Sequence, residues 1–130
     1  MPPLKILIVD DAQDILTILK SAFETQEGFV IQCVSSGEEA LKKGPEFQPD
    51  LILLDFLMPG MDGMATYEAM KCIPSLASIP VVILTAFTDE EKIKSFLKSG
   101  VAEVIMKPFD PWALPSQIRS IFDRYSRNRV

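Results

Sequence analysis

The chain of 130 residues contains no histidine. That excludes a Ser-His-Asp triad, a Cys-His dyad and any histidine-ligated metal. Cysteine is scarce: Cys33 and Cys72 lie far apart, form no CxxC pair and sit among apolar neighbours. This predicts two buried free thiols rather than a disulfide or a metal site. No apolar run approaches the length of a membrane span. The stretch Ile6 to Val9 is too short for a signal-peptide core and runs into two aspartates. A cytoplasmic protein without a membrane partner is the expectation. Basic residues are outnumbered, 13 against 18 acidic, for a net charge of −5 and a pI near 4.7. That argues against nucleic acid as a direct partner. The one basic cluster, Arg119, Arg124, Arg127 and Arg129, reads as a helix C-terminus whose dipole favours cations. There is also no repeat, low-complexity tract or internal linker, so one domain is expected over 1–130, with short tails at 1–3 and about 126–130.

What remains is an ordinary globular mixture, 48% apolar and 24% charged, long enough to bury a core. Short apolar runs alternate with amphipathic ones. Leu4–Val9, Phe29–Val34, Leu51–Leu54, Val81–Leu84 and Val101–Met106 are mostly continuous and rich in branched residues. Such runs suit a parallel sheet covered on both faces. Between them, Ile15, Ile18, Leu19, Ala22 and Phe23 share one helical face, and Gly28 follows as the stop. Ser36 with Glu39 reads as a capping box, with Gly44-Pro45 ending that helix. Asp62 caps a third helix running to Lys71, and Thr88 with Glu91 opens a fourth that carries Ile93, Phe96 and Leu97 and stops at Gly100. The last helix carries Leu114, Ile118, Ile121, Phe122 and Tyr125; it begins either at Asp110-Pro111 or near Pro115. Five β-α units predict an α/β sandwich with right-handed crossovers.

In open parallel sheets, ligands bind outside the carboxyl ends of the strands. There the sequence places Asp10-Asp11 after the first strand, Asp55 after the third, Thr85 after the fourth and Lys107-Pro108 after the fifth. Each has an ordinary explanation taken singly: a helix cap, a strand end, a solvated charge. Together they gather three acids on one rim. Two like charges about 4 Å apart at an effective dielectric near 20 repel by about 4 kcal/mol. Carboxylates brought that close suit a cation, and an all-oxygen set favours Mg²⁺. Asp55 is then a carboxylate nucleophile for phosphoryl transfer. Asp11 and Asp55 hold the ion with Asp10 close by, and Lys107 and Thr85 bind phosphoryl oxygens.

Four motifs, ILIVDD at Ile6–Asp11, LILLDFLMPGMDG at Leu51–Gly63, VVILTA at Val81–Ala86 and VIMKPF at Val104–Phe109, carry a family resemblance along essentially the whole chain. The sequence resembles the receiver domain of two-component response regulators. The resemblance implies a flavodoxin-like, doubly wound, five-stranded parallel sheet of order 2-1-3-4-5 with five helices. It implies that Asp55 takes a phosphoryl group from a phosphohistidine on a sensor kinase or phosphotransfer protein, without multiple-turnover enzyme activity. Mg²⁺ (or Mn²⁺) would be held by Asp10, Asp11, Asp55 and the Leu57 carbonyl, and the Lys107–Pro108 peptide would be cis. A downstream protein would dock on the face of the fourth helix, fifth strand and fifth helix.

Three positions depart from the usual pattern. Val104 stands where relatives usually carry an aromatic switch residue. Leu57 and Phe87, two after Asp55 and Thr85, stand where relatives are often polar. The reading is a stand-alone receiver or one cut from a longer chain. Three rivals are an aspartyl-phosphate phosphatase, a flavin-binding protein and a degenerate receiver that binds partners without phosphorylation. The first lacks a second acid because Leu57 fills its place; the second would have its phosphate repelled by Asp10-Asp11.

Overall fold

In the computed structural model, which describes residues 3–86 and 89–128, the five apolar runs become five strands. They are β1 (Leu4–Val9), β2 (Phe29–Val34), β3 (Leu51–Asp55), β4 (Val81–Thr85) and β5 (Glu103–Met106). All pairings are parallel and the order is β2-β1-β3-β4-β5, as expected. Five helices alternate with them: α1 (Gln13–Glu24), α2 (Gly37–Phe47), α3 (Gly63–Lys71), α4 (Glu90–Lys98) and α5 (Leu114–Asn128).

The period of two along each strand sorts the core into two halves. Leu7, Val9, Ile52, Leu54, Val81 and Ile83 pack beneath α2, α3 and α4, where Ala40, Met70 and Phe96 meet them. Ile6, Ile8, Leu51, Leu53, Val82 and Leu84 pack against Leu16, Leu19 and Phe23 of α1 and Leu114, Ile118 and Ile121 of α5. The three central strands are therefore apolar at successive positions, because both of their faces are covered. Each such aliphatic side chain removed from water contributes about 1.5–3 kcal/mol.

Several boundaries differ from the sequence expectations. β5 begins at Glu103, two residues late, because Gly100 turns at φ 108° before it. Pro45 lies inside α2. The proline forfeits one ladder bond, yet the helix runs on until Gln48 adopts a left-handed conformation and donates to the Gly44 carbonyl. The Ser36–Glu39 box forms: Ser36 Oγ accepts from the Glu39 amide, while Glu39 Oε1 accepts from the amide of Ser35. Asp62 caps α3 through the Ala65 amide. Asp89 caps α4 through the Glu91 amide, a role expected of Thr88, which lies outside the described residues. Pro115 is the second residue of α5, where no backbone donor is required, and residues 111–113 form the preceding turn.

Several side chains are placed differently from expectation. Ile18 is exposed, since the inward stripe of α1 is Leu16, Leu19, Ala22 and Phe23. Leu97 is exposed as well, leaving Phe96 as the buried anchor of α4. Cys72 follows the end of α3 on the surface and Cys33 is half-buried; both thiols are free. Arg119 belongs to the body of α5 rather than its end. Its guanidinium donates to the Gly28 carbonyl at 2.9 Å and lies over the Phe29 ring. Arg124 pairs with Glu103, and only Arg127 fits the helix-end reading among the described residues.

Candidate functional site

The strand order reverses between β1 and β3, and the carboxyl ends of those strands open a crevice there. Every expected site residue within the described segments reaches that rim except Val104, which lies within β5. Asp10 follows Val9 directly and is 1% exposed; Asp55, the last residue of β3, is 3% exposed; Thr85, the last of β4, is 1% exposed. Asp11 is exposed. Lys107 leaves β5 with its amide donating to the Thr85 carbonyl at 2.7 Å, and its ammonium reaches Asp55 Oδ1 at 2.9 Å. The next peptide, Lys107–Pro108, is cis as expected.

One carboxylate oxygen from each of Asp10, Asp11 and Asp55 lies within 4.8 Å of the others. Asp10 Oδ1 accepts from the Ala12 amide at 3.0 Å. Its Oδ2 is buried and has no hydrogen-bond partner among the described residues. Burial pushes the Asp10 carboxyl up to about 6; the Ala12 amide opposes this, and the charge of Asp55 adds to it. Burial also raises the Asp55 carboxyl above the usual range, against the pull of the Lys107 ammonium. A buried carboxylate with an orphaned oxygen is costly. A hard cation between these oxygens removes that cost, and a set of carboxylates without nitrogen or sulfur suits Mg²⁺. The residues present therefore fit the ion.

The loop after β3 shapes the rim. Met58 is buried and anchors it, and Gly60 turns at φ 78°. Gly63 has a role the sequence reading missed. A Cβ there would stand 2.7 Å from Phe56 Cα and 2.9 Å from the Asp55 carbonyl. Only a bare backbone lets α3 begin so close to Asp55, and the Gly63 amide donates to the Phe56 carbonyl at 2.8 Å. Phe56 in turn packs on Phe96 of α4, ring centroids 4.9 Å apart. Leu57 projects into solvent, 58% exposed. Val104 is half-buried against the α2–α3–α4 half of the core. Phe87 lies outside the described residues.

Comparison with known proteins agrees with this geometry. The response regulator receiver domain profile matches residues 6–119. The chain belongs to the response regulator receiver family. Among curated relatives, the DNA-binding response regulator MtrA of Mycobacterium tuberculosis is 35% identical over 116 residues, 89% of this chain and 49% of its own. The transcriptional regulatory protein ResD of Bacillus subtilis is 35% identical over 123 residues, 95% of this chain and 50% of its own. The chain thus spans about half the length of the curated relatives it matches. Among solved structures, the chemotaxis response regulator CheY4 of Vibrio cholerae has a TM-score of 0.83 at 27% identity, covering 92% of this chain and 98% of that one. The Francisella response regulator 1452 receiver domain scores 0.83 at 29% identity, covering 93% and 98%. Receivers of this family are signalling domains of two-component systems. The family match favours neither the phosphatase nor the flavin reading. Among the described residues, no helix is long and apolar enough to cross a membrane.

Proposed function

We propose that this receiver, one domain over 1–130, takes a phosphoryl group on Asp55 and passes the signal on by docking to another protein. The observation that carries the reading is the buried Asp55 carboxylate, paired with Lys107 at 2.9 Å and crowded by Asp10 and Asp11. Asp10, Asp11, Asp55 and the Leu57 carbonyl are the ligands for Mg²⁺ or Mn²⁺, which when bound neutralises charge on the transferring group. A carboxylate oxygen of Asp55 attacks the phosphorus of a phosphohistidine, and the phosphorus–nitrogen bond breaks. The imidazole leaves and takes a proton from solvent. Lys107 moves from the carboxylate to a phosphoryl oxygen, and the Thr85 hydroxyl donates to another. Because the backbones of β3, β4 and β5 fix these groups, little reorganisation is needed.

The donor is a sensor histidine kinase or histidine phosphotransfer protein, and the output face is α4, β5 and α5. Two relatives bear names that include DNA binding and transcriptional regulation, so the absence of direct nucleic-acid contact is proposed for this acidic domain alone. A cytoplasmic setting follows from the donor. The test is intact-mass measurement after treatment with acetyl phosphate and Mg²⁺. One phosphoryl mass is expected, absent in Asp55→Asn and absent in excess chelator. Full labelling of Asp55→Asn sinks the mechanism, and no labelling of the wild type favours a degenerate receiver.

A further inference from the structure

Among the described residues, β5 is an edge of the sheet and pairs with β4 alone. A cavity of about 710 Å³ runs along its open side, walled by β5 and by Ser116, Gln117 and Ser120 of α5. Sheet edges present unpaired backbone donors and acceptors, which proteins usually pair or cover. The Lys107 amide turns inward, to Thr85. The Val104 amide turns outward and donates to Glu103 Oε1 at 3.2 Å, a side chain on its own strand. The other oxygen of that carboxylate, Oε2, lies 3.5 Å from Arg124 Nη2 on α5. Glu103 therefore fills, with one carboxylate, the place of a neighbouring strand's carbonyl and the place of an acidic side chain facing Arg124. Beside it Met106, 48% exposed, offers an apolar surface to the same cavity.

We infer that the open edge of β5 is a docking site for an extended polypeptide segment carrying an acidic side chain, with Glu103 as the internal stand-in that it displaces. The inference rests on the reading of α4, β5 and α5 as the output face and names the kind of partner that face takes. An added strand supplies a carbonyl to the Val104 amide and a carboxylate to Arg124. Main-chain bonds of this kind give affinity, and the side chains give specificity. Guanidinium favours carboxylate because its planar fork matches both oxygens. The Glu103–Arg124 pair is half-exposed and so holds the edge only weakly.

The experiment is a titration of the whole protein, without any phosphodonor, followed by amide chemical shifts. The probe is an acetylated, amidated six-residue peptide of alternating valine and glutamate; the control replaces glutamate by lysine. The glutamate peptide is expected to shift the Val104 and Met106 amides. Glu103→Ala, whose dispersed spectrum reports folding, is expected to tighten binding by about two- to fivefold, the scale of an exposed ion pair. Glu103→Gln, which keeps the acceptor, falls between the two. Arg124→Ala reduces the glutamate peptide to the level of the lysine peptide. Absence of shifts at Val104 and Met106 in both wild type and Glu103→Ala overturns the inference. So does equal binding of the lysine peptide, or weaker binding in Glu103→Ala. The phosphoryl reading is untouched by this result, since it is read by mass on Asp55.

Discussion

Asp10→Asn in the metal-free protein sets function against stability most directly. Asp10 is 1% exposed, with one oxygen bonded to the Ala12 amide and the other unpaired. Its carboxyl is raised from 3.8 to about 6 by burial. The folded protein thus holds a proton that the unfolded chain has already released between those values. Stability accordingly falls as pH rises from about 4 to about 6, and the full loss is present at pH 7. A shift of roughly two units corresponds to about 3 kcal/mol. Asparagine removes the charge and keeps the oxygen that accepts from Ala12. Its new NH₂ replaces the orphaned oxygen, and a buried donor left unpaired costs about 1–3 kcal/mol. The Asp55 carboxylate lies close enough to offset part of that cost. The expected balance is a gain of about 1–2 kcal/mol at pH 7, less than the full charge penalty because of that buried NH₂. At pH 4 the gain should vanish, because the wild-type carboxyl is then neutral. Urea unfolding in chelator reads this directly: with a slope of about 2 kcal/mol per molar, the midpoint rises by about 0.5–1 M. Excess Mg²⁺ should reverse the ranking by stabilising the wild type through mass action. A variant less stable than wild type at pH 7 in chelator would refute the argument. So would a gain of the same size at pH 4.

Gly63→Ala should cost about 1–3 kcal/mol by urea unfolding and lower the initial phosphorylation rate, because its methyl meets backbone rather than a pliable side chain. Unchanged stability and rate would remove Gly63 from the positioning of Asp55. Val104→Ala should alter only modestly the amide shifts that phosphorylation induces across α4, β5 and α5; complete loss of the response would make Val104 the switch itself. The double variant Leu57→Asn, Phe87→Glu should shorten the lifetime of the phosphorylated mass after desalting, since polar groups there can orient an attacking water. Decay at the wild-type rate or slower would show that neither side chain governs access. For Leu57 the exposure of 58% already makes any shielding partial.

The strands were legible because two-sided burial leaves a simple mark, an unbroken apolar run. All five begin where expected except β5, whose first two residues lie in the turn after Gly100. Helix ends were harder. Pro45 reads as a stop, yet a proline near a helix end forfeits only one bond. Ile18 fits the helical period of α1 as well as Leu16 does, and the packing of α1 on the sheet and α5 turns Leu16 inward. The site was legible because each of its groups ends a strand, so that one-dimensional position predicts the rim. Contacts between distant segments left no local signature. The bond from Arg119 to Gly28 spans 91 residues, and the packing of Phe56 on Phe96 joins β3's end to α4. The close approach at Gly63 had one sequence signal, a glycine directly after a helix cap, which reads equally well as an ordinary turn.

The packing of α5 bears on the order in which this chain is made. The half-core under α1 is closed by Leu114, Ile118 and Ile121, and the turn before β2 is clasped by Arg119. A ribosome delivers those residues after every strand has already emerged. Until then Ile6, Ile8, Leu51 and Leu53 have α1 as their only cover on that side. The apolar positions on that face therefore gain their second helical cover only when the last helix is made, and the growing chain exposes them until then. It becomes self-sufficient in one late step, when the last helix lies down.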